Sequence, residues 1–248
     1  MKAIFLEVEY LGTHYFGFQI QNRHSLKEIT VQAVLEKALK KLFNQDIRID
    51  YTSRTDAGVH AKTQGVSFCV DTNIPLNNIK RALNSFLPWD IKIIKIKEYP
   101  APWRVRYCVK SKIYRYTICN TKEQSVFDYQ FSWHVKKPLN LAAMKKIAPH
   151  LIGKKDFSRF AKKSDHYRSC VRDVKKIVIK KSNKFIFIDI EADGFLHNMV
   201  RNIVNFLVEC GLNEITRKEA LAILADKKDY HCKPALARGL CLTKVFYG

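Results

Sequence analysis

Apolar and polar residues alternate from Lys2 to Tyr10, the two-residue period of a strand with one face on a core. The period then lengthens. Val31, Val34, Leu35, Ala38, Leu42 and Phe43 recur at the three- and four-residue spacing of a helix with one apolar stripe. Ile47 to Thr52 and Gln64 to Val70 read as strands, Pro75 to Phe86 as a helix with proline in its first turn, and Ile91 to Lys97 as a strand alternating Ile with Lys. The order β-α-β-β-α-β is the ferredoxin-like pattern. A looser copy follows. Ser111 to Cys119 reads as a strand, and Leu139 to His150 as a helix interrupted near Pro149 and stopped by Gly153. Val171 to Lys180 and Lys184 to Ala192 are strands meeting at a Ser182-Asn183 turn. Phe195 to Cys210 is a strongly apolar helix that Gly211 is expected to end in the left-handed conformation. Thr216 with Glu219 forms a capping box for a short helix to Ala225, and Cys241 to Tyr247 is the last strand. The expected class is α+β, two ferredoxin-like halves at 1–104 and 105–248. Lys154 to Cys170 is the longest insertion without a convincing pattern. It interleaves aromatics with charge: Phe157, Arg159, Phe160, Lys162, Lys163, His166, Tyr167 and Arg168.

Composition narrows the partners more than the fold. With 47% apolar residues over 248 positions, the chain can bury a real core, which excludes global disorder. The first residues run straight into the strand pattern, so no signal peptide is expected, and no apolar run has the length of a membrane span. The seven cysteines are odd in number and scattered, without a Cys-x-x-Cys pair. That argues against a disulfide framework and a zinc site, and for reduced thiols in the cytoplasm. The formal charge is +21, and its distribution is uneven: residues 101–181 hold 21 Lys and Arg against 5 Asp and Glu. A face that binds a polyanion accounts for this concentration better than an evenly basic composition does. A membrane surface would call for a long amphipathic helix, which the basic segment lacks.

The candidate chemistry centres on Ser53-Arg54-Thr55-Asp56-Ala57-Gly58-Val59-His60, a tight loop between two strands. Thr-Asp-Ala-Gly is also ordinary turn chemistry, and residue types alone favour that reading. Five further segments stand out. Tyr10 to Gln21 is a polar, aromatic loop with Gly12-Thr13 and Gly17-Phe18-Gln19. Asn84-Ser85-Phe86-Leu87-Pro88-Trp89-Asp90-Ile91 is a helix end with a proline-guided entry to a strand, sufficient without a catalytic role. In Lys112-Ile113-Tyr114-Arg115-Tyr116, alternation puts Lys112, Tyr114 and Tyr116 on one face. In Phe195-Leu196-His197-Asn198-Met199-Val200-Arg201-Asn202, Arg201 sits among apolar neighbours and needs an anionic partner. Pro234 to Leu242 reads as a closing turn into the last strand. His60, His197 and His231-Cys232 share no metal-ligand spacing. There is no Gly-x-Ser-x-Gly element and no phosphate-binding glycine loop, so no cofactor or metal is expected.

Taken together and in this order, these segments resemble the tRNA pseudouridine synthase A family from Tyr10 to the C-terminus. The family has similar Tyr-Asp-Gly-Thr, Arg-Thr-Asp-Ala-Gly-Val-His, Asn-x-x-Leu-Pro-x-Asp-Ile, Lys-x-Tyr-Arg-Tyr and Phe-x-His-x-Met-Val-Arg-Asn segments. The sequence departs from the pattern at Leu11, where Asp is usual, at Ser53, often Gly, and at Arg104 and Val105 in Trp103-Arg104-Val105-Arg106-Tyr107. The resemblance implies the pseudouridine synthase fold, with mainly antiparallel sheets able to join into one and helices on one side. It implies isomerisation of uridine to pseudouridine in the tRNA anticodon stem-loop, at about positions 38 to 40, without a cofactor. It assigns Asp56 the catalytic role, through attack on C1′ or removal of the 2′ proton. Arg54 is implied to fill the space of the flipped base or hold a flanking phosphate, Tyr114 to stack on the uracil, and Arg201 to pair with Asp56. It also implies a cytoplasmic homodimer in which tRNA contacts both subunits. A tRNA-binding factor without chemistry, or a relative directed to ribosomal RNA, are the other readings open at this point.

Overall fold

The computed structural model describes residues 1–21, 29–162 and 169–248. Lys163, His166, Tyr167 and Arg168 lie outside them. The chain forms two compact units: residues 1–110 with 242–248, and residues 111–241.

The first unit contains β1 (Lys2–Tyr10), α1 (Val31–Phe43), β2 (Asp50–Tyr51), β3 (His60–Val70), α2 (Leu76–Phe86) and β4 (Ile91–Pro100). β1 lies between β3 and β4, antiparallel to both, and β2 pairs with β3. The resulting order β4-β1-β3-β2 and the β-α-β-β-α-β sequence are ferredoxin-like. The segment 242–248 adds a further strand beside β3. Thr30 caps α1 by accepting the Ala33 amide, and Asn44 ends it with φ 52°. The helix buries Val31, Leu35, Ala38 and Leu39; α2 buries Ile79 and Leu83. β1 is more buried than alternation predicts. Phe5, on the face opposite Ile4 and Leu6, is covered by the rings of Trp103 and Tyr247, both edge-on at under 6 Å. Ile47 and Ile49 are buried, but only Asp50 and Tyr51 join the ladder. The apolar alternation there serves packing rather than a long strand.

The second unit contains β5 (Val109–Cys119, from Ser111), β6 (Trp133–His134), α3 (Leu141–Ile147), β7 (Gly153–Asp156), β8 (Val171–Ser182), β9 (Phe185–Ala192), α4 (Met199–Gly211) and α5 (Arg217–Leu224). Its sheet runs β5-β9-β8-β7, all antiparallel, with β6 parallel to β5. β5-β9-β8 repeats the first-third-second order of β1-β3-β2. α4 forms the centre of the core and buries Met199, Val200, Ile203, Val204, Phe206 and Leu207, each worth about 1.5–3 kcal/mol if fully transferred from water. The capping box of Thr216 and Glu219 is present.

Four expectations need correction. α4 begins at Met199 rather than Phe195, after Asn198 takes the left-handed conformation (φ 64°). Gly211 lies inside the helix, and Asn213 has the positive φ beyond it (58°). Glycine is needed at 211 for space: a Cβ there would lie 2.9 Å from Met144 Cγ on α3. The β8–β9 turn is Asn183-Lys184, with Asn183 at φ 51°. Phe157 and Phe160, read as aromatics interleaved with charge, are 2% and 3% exposed and belong to the core; Phe160 packs edge-on against Phe206 at 5.5 Å.

Candidate active site

Asp56 sits in a turn fixed from both sides within the first unit. Its carbonyl accepts the Val59 amide at 3.1 Å, and Gly58, third in the turn, has φ 79°. A positive φ at that place is the requirement of a type II turn, met by glycine. The turn reading and the site reading are therefore compatible: the turn presents the half-buried carboxylate. The loop from Gly12 to Phe18 clamps it. Gly58 N–H donates to the Tyr15 carbonyl (3.3 Å), and Phe18 N–H donates to the Thr55 carbonyl (3.1 Å). Thr55 Oγ1 and Tyr10 Oη lie 2.8 Å apart in a hydrogen bond. Gly12 N–H donates to His60 Nδ1 at 3.0 Å, so this nitrogen is an acceptor and a neutral His60 ring carries its proton on Nε2. The approach is so close that a Cβ on Gly12 would lie 2.0 Å from the Val59 oxygen.

The other side is held through β3. Thr52 Oγ1 donates to Gln64 Oε1 (2.9 Å), and Gln64 Nε2 donates to the Ser53 carbonyl (2.6 Å). Gly65 N–H donates to Thr52 Oγ1 (3.2 Å). Below the clamp, Tyr15 Oη donates to the buried Asp90 Oδ1 at 2.6 Å, and the Asp90 carbonyl accepts the Leu11 amide at 2.9 Å. Burial, then the bond to Asp90, pushes the Tyr15 phenol well above its usual range, so it stays a donor. Tyr15, Gln64 and Asp90 are supporting residues that the motif reading did not single out. Tyr15 and Asp90 lie in the Tyr10–Gln21 and Asn84–Ile91 segments, and Gln64 at the start of the strand read from Gln64 to Val70. Arg54 is exposed, two residues from Asp56.

In the second unit Tyr114 is 5% exposed on β5, opposite Ile190, with the ring of Phe195 edge-on at 5.1 Å. Tyr116 Oη donates to the Leu236 carbonyl at 2.7 Å. Arg201, in the first turn of α4, donates from Nε to the Ala235 carbonyl (2.6 Å) and from Nη1 to Asn198 Oδ1 (3.1 Å). The Ala235 amide returns a bond to the Arg201 carbonyl at 3.2 Å. The Pro234–Leu242 segment thus orients Arg201 and anchors Tyr116. Lys112 shares the face of Tyr114 and Tyr116. Burial lowers its ammonium pKa to about 8, with Asp193 opposing and Arg172 adding to the shift. The structure groups Asp56 with Arg54 in one unit and Tyr114 with Arg201 in the other. Among the described residues no group of three His, Cys, Asp or Glu side chains could hold a metal ion, and no helix is long and apolar enough to cross a membrane.

Comparison with known proteins adds the family. A family model described as tRNA pseudouridine synthase matches residues 7–108 and 147–248, which include the Asp56 loop and the Arg201 helix; Tyr114 falls between the two stretches. The tRNA pseudouridine synthase A of Thermoanaerobacter sp. (strain X514) is 41% identical over 248 residues, covering 100% of both chains. The protein of the same name from Moorella thermoacetica is 39% identical over 249 residues, again covering 100% of both. A solved archaeal box H/ACA sRNP Nop10-Cbf5 complex is a weak likeness, with a TM-score of 0.38 and 9% identity over 83% of this chain and 44% of that one. The chain belongs to the tRNA pseudouridine synthase family.

Proposed function

We propose that this protein isomerises uridine to pseudouridine in tRNA, in the anticodon stem-loop at about positions 38 to 40. The observation that carries the reading is the clamped Asp56 turn, whose backbone is held by bonds from Tyr15, Phe18 and Val59 so that one carboxylate is presented in a fixed place. The reaction breaks C1′–N1, turns the uracil, joins C1′ to C5 and moves the C5 proton to solvent while N1 gains one. Atoms and electrons balance without a donor or an oxidant. Asp56 either attacks C1′ or removes the 2′ proton; both routes use an ionised carboxylate. Arg201, oriented by Ala235 and Asn198, pairs with it and keeps it ionised. Arg54 fills the space of the flipped base or holds a flanking phosphate. Tyr114 stacks on the uracil, offsetting part of the few kcal/mol that extrusion costs. The basic 101–181 segment grips the backbone, with exposed lysines such as Lys145, Lys146, Lys175, Lys176 and Lys180. The protein works in the cytoplasm as a homodimer whose tRNA touches both subunits, and the exposed Val126, Phe127, Tyr129 and Phe131 support self-association.

The test is single-turnover release of tritium from tRNA labelled at uridine C5. Wild type is expected to release it, while Asp56→Ala and Asp56→Asn release none and still bind tRNA. Turnover by either variant removes Asp56 from the chemistry. Tight binding without release by wild type favours an RNA-binding factor instead, and ribosomal RNA becomes the next substrate.

A further inference from the structure

Trp89 is 79% exposed, a large apolar ring left in water at the end of the sheet that carries the candidate active site. The strand register shows which end of the sheet it shares with the Asp56 loop. Tyr10 ends β1 opposite Ala61 on one side and Ile91 on the other. The Asp56 loop runs into β3 just before Ala61, and Trp89 runs into β4 just before Ile91. The two segments therefore enter the sheet at the same end, on strands two spacings or about 10 Å apart. The connection is also direct. Trp89 lies in a turn closed by Ile91 N–H to the Pro88 carbonyl (3.1 Å), and its neighbour Asp90 holds both Leu11 and Tyr15. Tyr15 in turn holds Gly58. The bonds that fix the aspartate turn thus also fix the backbone that presents the indole.

The turn is closed by backbone atoms, so its geometry does not require tryptophan at position 89. The other two tryptophans are engaged inside the protein: Trp103 stacks on Tyr99 at 4.1 Å, and Trp133 lies edge-on to Tyr116. The same unit exposes Lys92 three residues further on in β4 and Arg54 on the aspartate loop at the same end of the sheet. An accessible aromatic face with cations nearby suits an unpaired nucleobase on a phosphate backbone.

We propose that Trp89 is a stacking platform for an unpaired base of the RNA substrate next to the uridine being modified. It is a positioning residue, which holds the strand while the target base is out of the stack. The proposal rests on the RNA-modifying function argued above.

The experiment compares wild type, Trp89→Ala and Trp89→Phe with an unmodified tRNA transcript, measuring affinity across salt concentrations, tryptophan fluorescence, and tritium release at saturating enzyme. Loss of one base–aromatic stack is expected to weaken binding by roughly five- to a hundredfold in Trp89→Ala, with Phe recovering most of it. Because the indole carries no charge, the slope of log affinity against log salt stays unchanged. tRNA should quench wild-type emission, and Trp89→Phe should lose that quench. Wild-type affinity in Trp89→Ala overturns the proposal. So does an equal loss in Trp89→Phe accompanied by a lower unfolding temperature, which marks a structural role. If tRNA quenches Trp89 but wild type releases no tritium, the isomerase reading fails and takes with it the placement beside a modified uridine, leaving only base stacking on Trp89. If tritium is released and Trp89→Ala binds normally, only the platform fails.

Discussion

Two residues show how tightly single positions are specified. Gly12 meets the Val59 carbonyl where any Cβ would overlap it, and its amide is bonded to His60. Gly12→Ala must push the N-terminal loop off the aspartate turn. The expected outcome is a loss of turnover of at least tenfold, with tRNA affinity changed much less, read from single-turnover rate against filter binding. Lys112 is specified by charge rather than space. Its folded pKa of about 8 lies below the unfolded value of about 10.4, so between these pH values the unfolded chain holds the extra proton. Stability contributed by this group therefore rises as pH goes from 8 towards 10.4, by an amount on the order of a few kcal/mol, and the cost of its charge is fully present below pH 8. Lys112→Met should be more stable than wild type at pH 7, with the difference shrinking at pH 10, measured by urea unfolding. A constant difference would mean that Lys112 stays solvated. Asp193 and Arg172, which face it, are the groups to hold unchanged in that comparison.

At the scale of elements, what could be read from the chain was set by local periodicity. α1, α2, β9 and α5 match the alternation, helical spacing and capping signals closely, because each is stabilised by its own apolar stripe, and β1 keeps its expected bounds although both of its faces are covered. The Asp56 loop was also legible, since a strand on either side and Gly58 define it locally. What escaped depends on partners far along the chain. The final strand lies with the first unit beside β3, a pairing that no local pattern encodes. Phe157 and Phe160 read as aromatics interleaved with charge, yet Phe160 packs on Phe206 of α4 and on Tyr230, and Phe157 packs on Phe160. Tyr15 and Asp90 are 75 residues apart, and only the folded sheet brings that hydrogen bond together. Gly211 looked like a helix stop, because a glycine after an apolar run usually is one; its contact with Met144 explains it instead. Gly211→Ala therefore tests packing rather than turn geometry. It should destabilise by about 1–3 kcal/mol through overpacking, and Met144→Ala should recover part of that loss in the double variant. Additive losses would show that the two positions do not share the space.

For the whole molecule, charge and apolar surface make opposite demands. With a formal charge of +21, two copies repel, while a tRNA is attracted. If the protein self-associates through Val126, Phe127, Tyr129 and Phe131, apolar burial must overcome that repulsion. This part of the surface is suited to it. From Glu123 to Val135 there is no Lys or Arg, a gap in an otherwise basic segment. The short helical turn Val126–Phe131 is braced so that its apolar side chains point outward. Ser125 caps it, Ser132 Oγ donates to the Asp128 carbonyl, Lys184 pairs with Asp128, and Arg238 lies 3.9 Å over the Tyr129 ring. Arginine and aromatic side chains in one patch are what the cores of protein interfaces favour, where lysine is depleted. The two associations should then respond to salt with opposite signs. Screening shortens the reach of repulsion to about 10 Å at 0.1 M salt, so the homodimer should tighten as salt rises, whereas tRNA affinity falls as counterions are no longer released at a gain. Sedimentation velocity over 0.05–0.5 M salt (about a tenfold range) reads the first, and filter binding over the same range reads the second. Phe127→Asp places a charge at the most exposed ring of the patch and should leave a folded monomer at every salt concentration. A Phe127→Asp variant that still sediments as a dimer would move the interface elsewhere on the surface. A dimer that weakens with salt would mean that ion pairs, rather than this apolar turn, hold the two copies together.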